Sequence, residues 1–231
     1  MAILECRELS KRFGAVQALD MVSLKIEPGR VVGLLGPNGS GKTTLMKLAN
    51  GLLTPSGGDI LIEGKAPGTE TKSVVSYLPD KPYLAEWMKA KQLLDFFGDF
   101  YSDFDREKAT EMLVRLNIDG NMRIKEMSKG TREKVQLILV MSRKALLYLL
   151  DEPIGGVDPA TRDYILDTII RNYNPEAAVL ISTHLIADVE QVLDDVIFIN
   201  QGKIVLESSV DAIREDHGMS VDQYFREVFR C

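Results

Sequence analysis

The chain has 231 residues, 45% of them hydrophobic and 27% charged, with a formal net charge of −6. That is enough apolar material for a sizeable core in one large domain or two intimate subdomains. Charges of both signs are interspersed, which excludes a disordered chain and an electrostatic nucleic-acid binder.

Two cysteines, Cys6 and Cys231, are too few for a disulfide framework and read as free thiols of a reducing compartment. The first residues lack a basic segment followed by an apolar run, so no secretory leader is expected. The most apolar stretch, 135–150, is interrupted by Ser142-Arg143-Lys144 and is too short and too polar to span a bilayer. A cytoplasmic protein is expected, with any membrane role reached through a partner.

Alternation predicts strands over 3–9 and 22–26, and the turn Glu27-Pro28-Gly29 leads into a buried strand over 31–35. Next comes Gly36-Pro37-Asn38-Gly39-Ser40-Gly41-Lys42-Thr43, followed by Thr44. A buried strand, a glycine-rich turn and a helix over 42–50 make a phosphate-binding loop. The glycines let several backbone N–H groups point into one concavity, and the helix sets its positive end there. In such a loop Lys42 reaches the β- and γ-phosphates and the Thr43 hydroxyl ligates Mg²⁺.

Strand pieces on both sides of the loop predict a mixed sheet. After the turn 54–58, a short strand over 59–65 adds an antiparallel annex, and 74–78 is a further strand ended by Pro79 and followed by Asp80. Over 85–116 the period becomes helical, with Leu93, Leu94, Phe96, Phe97, Phe100, Met112, Leu113 and Leu116 as expected core positions. Tyr83 and Trp87, beside a proline-containing loop, suit partner contact instead. Ser128 reads as the N-cap of a helix over 131–144 that buries Val135, Leu137, Ile138 and Met141.

The run 145–150 predicts a fully buried strand delivering Asp151 and Glu152, after which Pro153, Gly155 and Gly156 break regular structure. A helix over 159–173 and a strand over 178–182 follow, with His184 just beyond the strand. Residues 196–200 and 204–206 form a hairpin around Gln201-Gly202-Lys203, and 210–229 has helical patches. In open α/β sheets the carboxyl edge of the strands binds ligands. Asp151 stands there to hold Mg²⁺ through a water, and Glu152 to polarise an attacking water. A merely solvated acidic loop fits poorly, because six apolar residues precede the pair and a proline follows it.

On these motifs the chain resembles the ATP-binding subunits of ABC transporters along essentially its whole length. Gly36 to Thr43 matches the Walker A loop, the strand to Glu152 matches Walker B, and Ser128 with Gly130 matches the signature. Gly156-Val157-Asp158 matches the D-loop and His184 the switch histidine.

The resemblance implies an α/β fold: a P-loop core with a mixed, mainly parallel sheet, an antiparallel annex, and a helical subdomain over 80–144 set against a core of 1–79 and 145–231. It implies ATP and Mg²⁺ as ligands, with Phe13 stacking on adenine and His184 touching the γ-phosphate. It also implies a homodimer or heterodimer in which Ser128, Gly130 and Asp158 face the opposite subunit's nucleotide. Separate membrane-spanning permease subunits of export type would hold the protein at the inner face of the membrane.

Two departures stand out. Asp80 occupies the place of a glutamine that touches Mg²⁺ and the attacking water, and Lys129 and Thr131 replace glycine and glutamine in the signature. On the residues alone Ser128 is also an ordinary cap, and Phe13 also a cover for the sheet edge. A related ATPase acting on nucleic acid or the ribosome is the alternative, disfavoured because no long coiled-coil insertion, second such domain or basic face is present. A small-molecule kinase would explain the loop but neither Ser128 nor His184.

Overall fold

The computed structural model describes residues 2–155 and 157–229, without the side chain of Ala160. Gly156 and Cys231 therefore lie outside the described residues.

Strands β1 (Leu4–Phe13) and β2 (Val16–Ile26) form a long antiparallel hairpin, and β4 (Gly57–Ile62) pairs with the other edge of β1. This is a separate three-stranded sheet in the order β2-β1-β4, so the strand pieces before the phosphate loop do not enter one common sheet. The six-stranded sheet runs β5-β6-β7-β3-β8-β9. It comprises β3 (Val31–Leu35), β5 (Val75–Leu78), β6 (Leu147–Asp151), β7 (Ala178–Thr183), β8 (Asp195–Asn200) and β9 (Lys203–Ser209). All its pairings are parallel except β8 with β9. The mixed, mainly parallel sheet and the antiparallel annex are both present.

The apolar runs are continuous because both faces of this sheet are buried. Val31, Leu35, Tyr148, Leu150, Val179 and Ile181 point to a core shared with the helices. Their neighbours Val32, Leu34, Leu147, Leu149, Ala178 and Leu180 point to a second core filled by α1 (Lys42–Ala49) and the small sheet. The period of two decides which residue goes to which core.

The helical stretch divides into α3 (Ala90–Phe100) and α4 (Arg106–Arg115), because Asp105 caps a new helix by accepting from Lys108 N at 3.0 Å. Leu93, Leu94, Phe97, Met112 and Leu113 are buried as expected. Phe96 and Phe100 are not: they are 54% and 68% exposed and stack on one another, while Leu116 is only half-buried. Phe96 and Phe100 are one turn apart, so a single face of α3 carries both, and no described helix covers that face. Tyr83 and Trp87 are exposed, as their setting suggested.

Helix α2 (Thr69–Val74) was not legible in the sequence; the Thr71 hydroxyl closes its first turn by accepting from Gly68 N at 2.8 Å. Ser128 does cap α5 (Lys129–Met141), which starts and ends earlier than its apolar pattern implied. Helix α6 (Pro159–Asn172) packs on α5, and α7 (Ile186–Val189), α8 (Val210–His217) and α9 (Val221–Val228) finish the chain.

Candidate nucleotide site

The loop after β3 opens into a cleft of about 310 Å³ lined by Asn38 to Thr44, by Val16, Gln17 and Ala18 of β2, and by Asp80 and Glu152. The glycines are there for steric reasons. A Cβ on Gly36 would lie 2.2 Å from the Ile199 carbonyl oxygen. One on Gly41, which sits at φ +111°, would lie 2.6 Å from that of Ala18. The loop is thus clasped between β2 and the β8–β9 hairpin, whose Gly202 N donates to Ser40 O at 2.9 Å.

Lys42 opens α1 with its ammonium folded back on the loop, donating to the carbonyls of Gly36 (2.8 Å) and Pro37 (3.2 Å). It also lies 3.6 Å from Glu152 Oε1. Burial lowers its pKa, and the Glu152 carboxylate draws it back up. A cation held against two carbonyls in a glycine-rich cradle is placed to be taken over by phosphate oxygens.

Four strand ends converge on the cleft. At the end of β6, Asp151 is 1% exposed; its Oδ1 accepts from Ser182 Oγ at 2.5 Å and Thr43 Oγ1 at 3.1 Å. Its Oδ2 is buried without a protein partner. Burial pushes the Asp151 carboxyl up, the two hydroxyls pull it back, and Asp80 and Glu152 add to the rise. The free Oδ2 and the Thr43 hydroxyl are hard oxygen donors that fit Mg²⁺, a cation that takes its remaining ligands from water and phosphate. Among the described residues no three His, Cys, Asp or Glu side chains converge as a metal cage.

Glu152 sits at φ +50°, a conformation that costs a non-glycine residue energy and turns its side chain into the cleft. Its backbone N donates to Ser182 O at 2.9 Å. Its Oε2 accepts from Thr183 Oγ1 at 3.2 Å and lies 3.0 Å from His184 Nδ1. A carboxylate can only accept, so Nδ1 carries the hydrogen and Nε2 of this half-exposed imidazole remains free. The pair Ser182-Thr183 therefore orients both acids, a role the sequence left unassigned although two hydroxyls directly precede His184 at the end of a buried strand.

Phe13 lies just outside the cleft, 46% exposed and paired across the hairpin with Val16, with Lys11 Nζ 5.0 Å from its ring centroid. Its exposure leaves a ring face available for stacking. Ser128, Gly130 and Asp158 do not line the cleft. Ser128 is exposed at the start of α5, and Asp158 caps α6 through Thr161 N (3.1 Å) and Thr161 Oγ1 (2.7 Å). Lys129 is exposed and 3.7 Å from Glu133. The contribution of β2 to the cleft left no sequence signal, because it depends on how the two sheets stack.

Residues 19–155 match the family model described as ABC transporter. The chain belongs to the ABC transporter family. It is 31% identical over 220 residues to the ABC transporter ATP-binding protein YtrB of Bacillus subtilis strain 168, covering 93% of this chain and 75% of that one. It is also 31% identical over 221 residues to the SkfA peptide export ATP-binding protein SkfE of the same organism, covering 93% and 92%. A solved ATP-binding subunit of an ABC transporter superposes with a TM-score of 0.88 at 28% identity, covering 99% of this chain and all of that one. As an ABC transporter ATP-binding subunit, this chain binds ATP and hydrolyses it to drive transport. No described helix is long and apolar enough to cross a membrane.

Proposed function

We propose that this subunit hydrolyses ATP at the interface with a second nucleotide-binding chain and drives separate permease subunits in export. The observation that carries the reading is the division of the site. Walker A, Asp80, Asp151, Glu152 and His184 gather at one sheet edge, while Ser128 and Gly130, at the start of α5, lie outside the residues that line that cleft. Half a site on each of two surfaces becomes whole when two chains meet head to tail.

In this reading Gly36, Pro37, Asn38, Gly39, Ser40, Gly41, Lys42, Thr43 and Thr44 cradle the phosphates, and Phe13 stacks on adenine. Thr43, Asp151 and Asp80 would hold Mg²⁺, which would supply charge neutralisation for the phosphates. Glu152 takes the proton of the attacking water, and the free Nε2 of His184 faces the γ-phosphate. Ser128, Gly130 and Asp158 come from the opposite chain, with the positive end of α5 on its γ-phosphate.

The permease would dock in a groove of about 550 Å³ between β5 and the helical part, residues 80–144, lined by Tyr77, Tyr83, Phe96, Phe100 and Arg143. Docking there places the chain at the cytoplasmic face of the membrane. Similarity to a protein named for peptide export supports export as the direction.

The test is Glu152→Gln. It keeps the shape of the site and removes the base, so ATP with Mg²⁺ should bind, persist and shift the protein to a dimer on gel filtration. A monomer at high protein concentration with ATP, in the presence and absence of the permease, would count against the two-chain site.

A further inference from the structure

Helix α5 buries seven consecutive residues, Val135 to Met141, and Gln136 is the one polar side chain among them. Burying an amide is unfavourable unless its groups are used. One is: Gln136 Nε2 donates to the Pro79 carbonyl at 3.4 Å, immediately after β5 and immediately before Asp80. The other, Oε1, is buried with no protein partner although the residue is only 3% exposed.

Gln136 borders a small cavity of about 30 Å³ that it shares with Pro79, Asp80, Glu133, Asp151 and Glu152. Glu133 Oε2 and Asp151 Oδ2 are likewise buried without protein partners. A cavity of this size holds one water. Such a water donates two hydrogens and so meets two of the three acceptors, Gln136 Oε1 and Glu133 Oε2, which leaves Asp151 Oδ2 as the oxygen that would hold Mg²⁺.

We propose that Gln136 is a positioning residue that, through its amide and one buried water, sets the Asp80 loop against the Asp151–Glu152 pair. This rests on hydrolysis at Glu152 and extends it. Gln136 lies eight residues beyond the Ser128 cap, about 12 Å along the helix that carries the signature. A rigid helix with the signature at one end and a hold on the Asp80 loop further along conveys any displacement of the first to the second. An apolar residue would pack as well in this place and could not do this.

The experiment is Gln136→Met, which keeps the length and removes both polar groups. In the purified full chain, kcat for phosphate release should fall roughly tenfold to a hundredfold, the range produced by small misplacements of catalytic groups. KM for ATP should stay within about twofold and the thermal midpoint should not fall, and the Mg²⁺ concentration for half-maximal rate should rise.

A purely structural role would move the midpoint and leave the Mg²⁺ dependence alone. In an Asp80→Asn background the loss should shrink to less than about twofold, because the group being positioned is gone. An unchanged kcat in Gln136→Met, or losses that multiply in full in the double variant, would overturn the proposal. Glu152→Gln sets the zero of the assay: wild-type release no faster than this variant would instead refute hydrolysis at Glu152.

Discussion

Replacing Arg143 by methionine should loosen the joint between the helices and the sheet. Arg143 is 3% exposed and spans three segments. Its Nε meets both oxygens of Asp103 (3.0 and 3.2 Å), Nη1 donates to the Val75 carbonyl and Nη2 to the Ser73 carbonyl, each at 2.6 Å. The guanidinium lies 3.8 Å from the centroid of the Tyr101 ring. Tyr101 and Asp103 belong to the turn between α3 and α4, and Ser73 and Val75 to the passage from α2 to β5.

Methionine fills the volume and removes every donor, leaving Asp103 without its cation and the Ser73 and Val75 carbonyls without the guanidinium. Breaking such a buried pair costs about 3–5 kcal/mol. Asp103 is 22% exposed and recovers some hydration, which favours the lower end, near 3 kcal/mol. In a domain of this size each kcal/mol moves the melting midpoint by about 2–4 °C, so a fall of roughly 6–12 °C is expected by circular dichroism. Hydrogen exchange should accelerate most over 72–78 and 101–105. Arg143→Lys should recover little, because a point charge cannot reach Asp103 and two carbonyls at once. A fall below about 2 °C, or full recovery by lysine, would refute the account.

Asp80→Gln removes a negative charge that raises the Asp151 carboxyl and should change the Mg²⁺ dependence of phosphate release; an unchanged rate and unchanged Mg²⁺ dependence would make Asp80 a structural loop residue. Asp151→Asn should abolish release and yet raise stability at neutral pH. Burial holds the folded-state carboxyl above its unfolded value, so the contribution of Asp151 to stability is most favourable below the unfolded value near pH 4 and is lost as pH rises through the folded value. Asparagine should flatten that decline in melting midpoints taken from pH 4 to 8; a variant less stable than wild type at pH 7 would mean that the Ser182 and Thr43 hydrogen bonds outweigh desolvation. Phe96→Ser with Phe100→Ser should leave the melting midpoint within a few degrees, since both rings are exposed, and reduce co-purification with the permease. Undiminished co-purification would move the docking surface elsewhere.

The sequence by itself determined the phosphate loop, the acids of β6, the Ser128 cap and the order of strands and helices around them. Each is a local device: a glycine that meets a steric limit, a hydroxyl that caps its own helix, an apolar run too continuous for a half-exposed strand.

What lies between distant segments was decided only by the tertiary structure. The period of 85–116 puts Phe96 and Phe100 in a core, yet both rings stay exposed, since periodicity shows that a face is apolar and not whether anything covers it. Arg143 read as a polar break in an apolar stretch; folding buries it as the joint of three segments, because its partners at Ser73, Val75, Tyr101 and Asp103 are remote in sequence. Gln136 went unread among its apolar neighbours, and its meaning came from the strand end that β5 brings beside it. The phosphate loop was written in eight consecutive residues; the cleft around it required β3, β5, β6 and β7 to end at the same edge and the first residues of β2 to lie beside the loop.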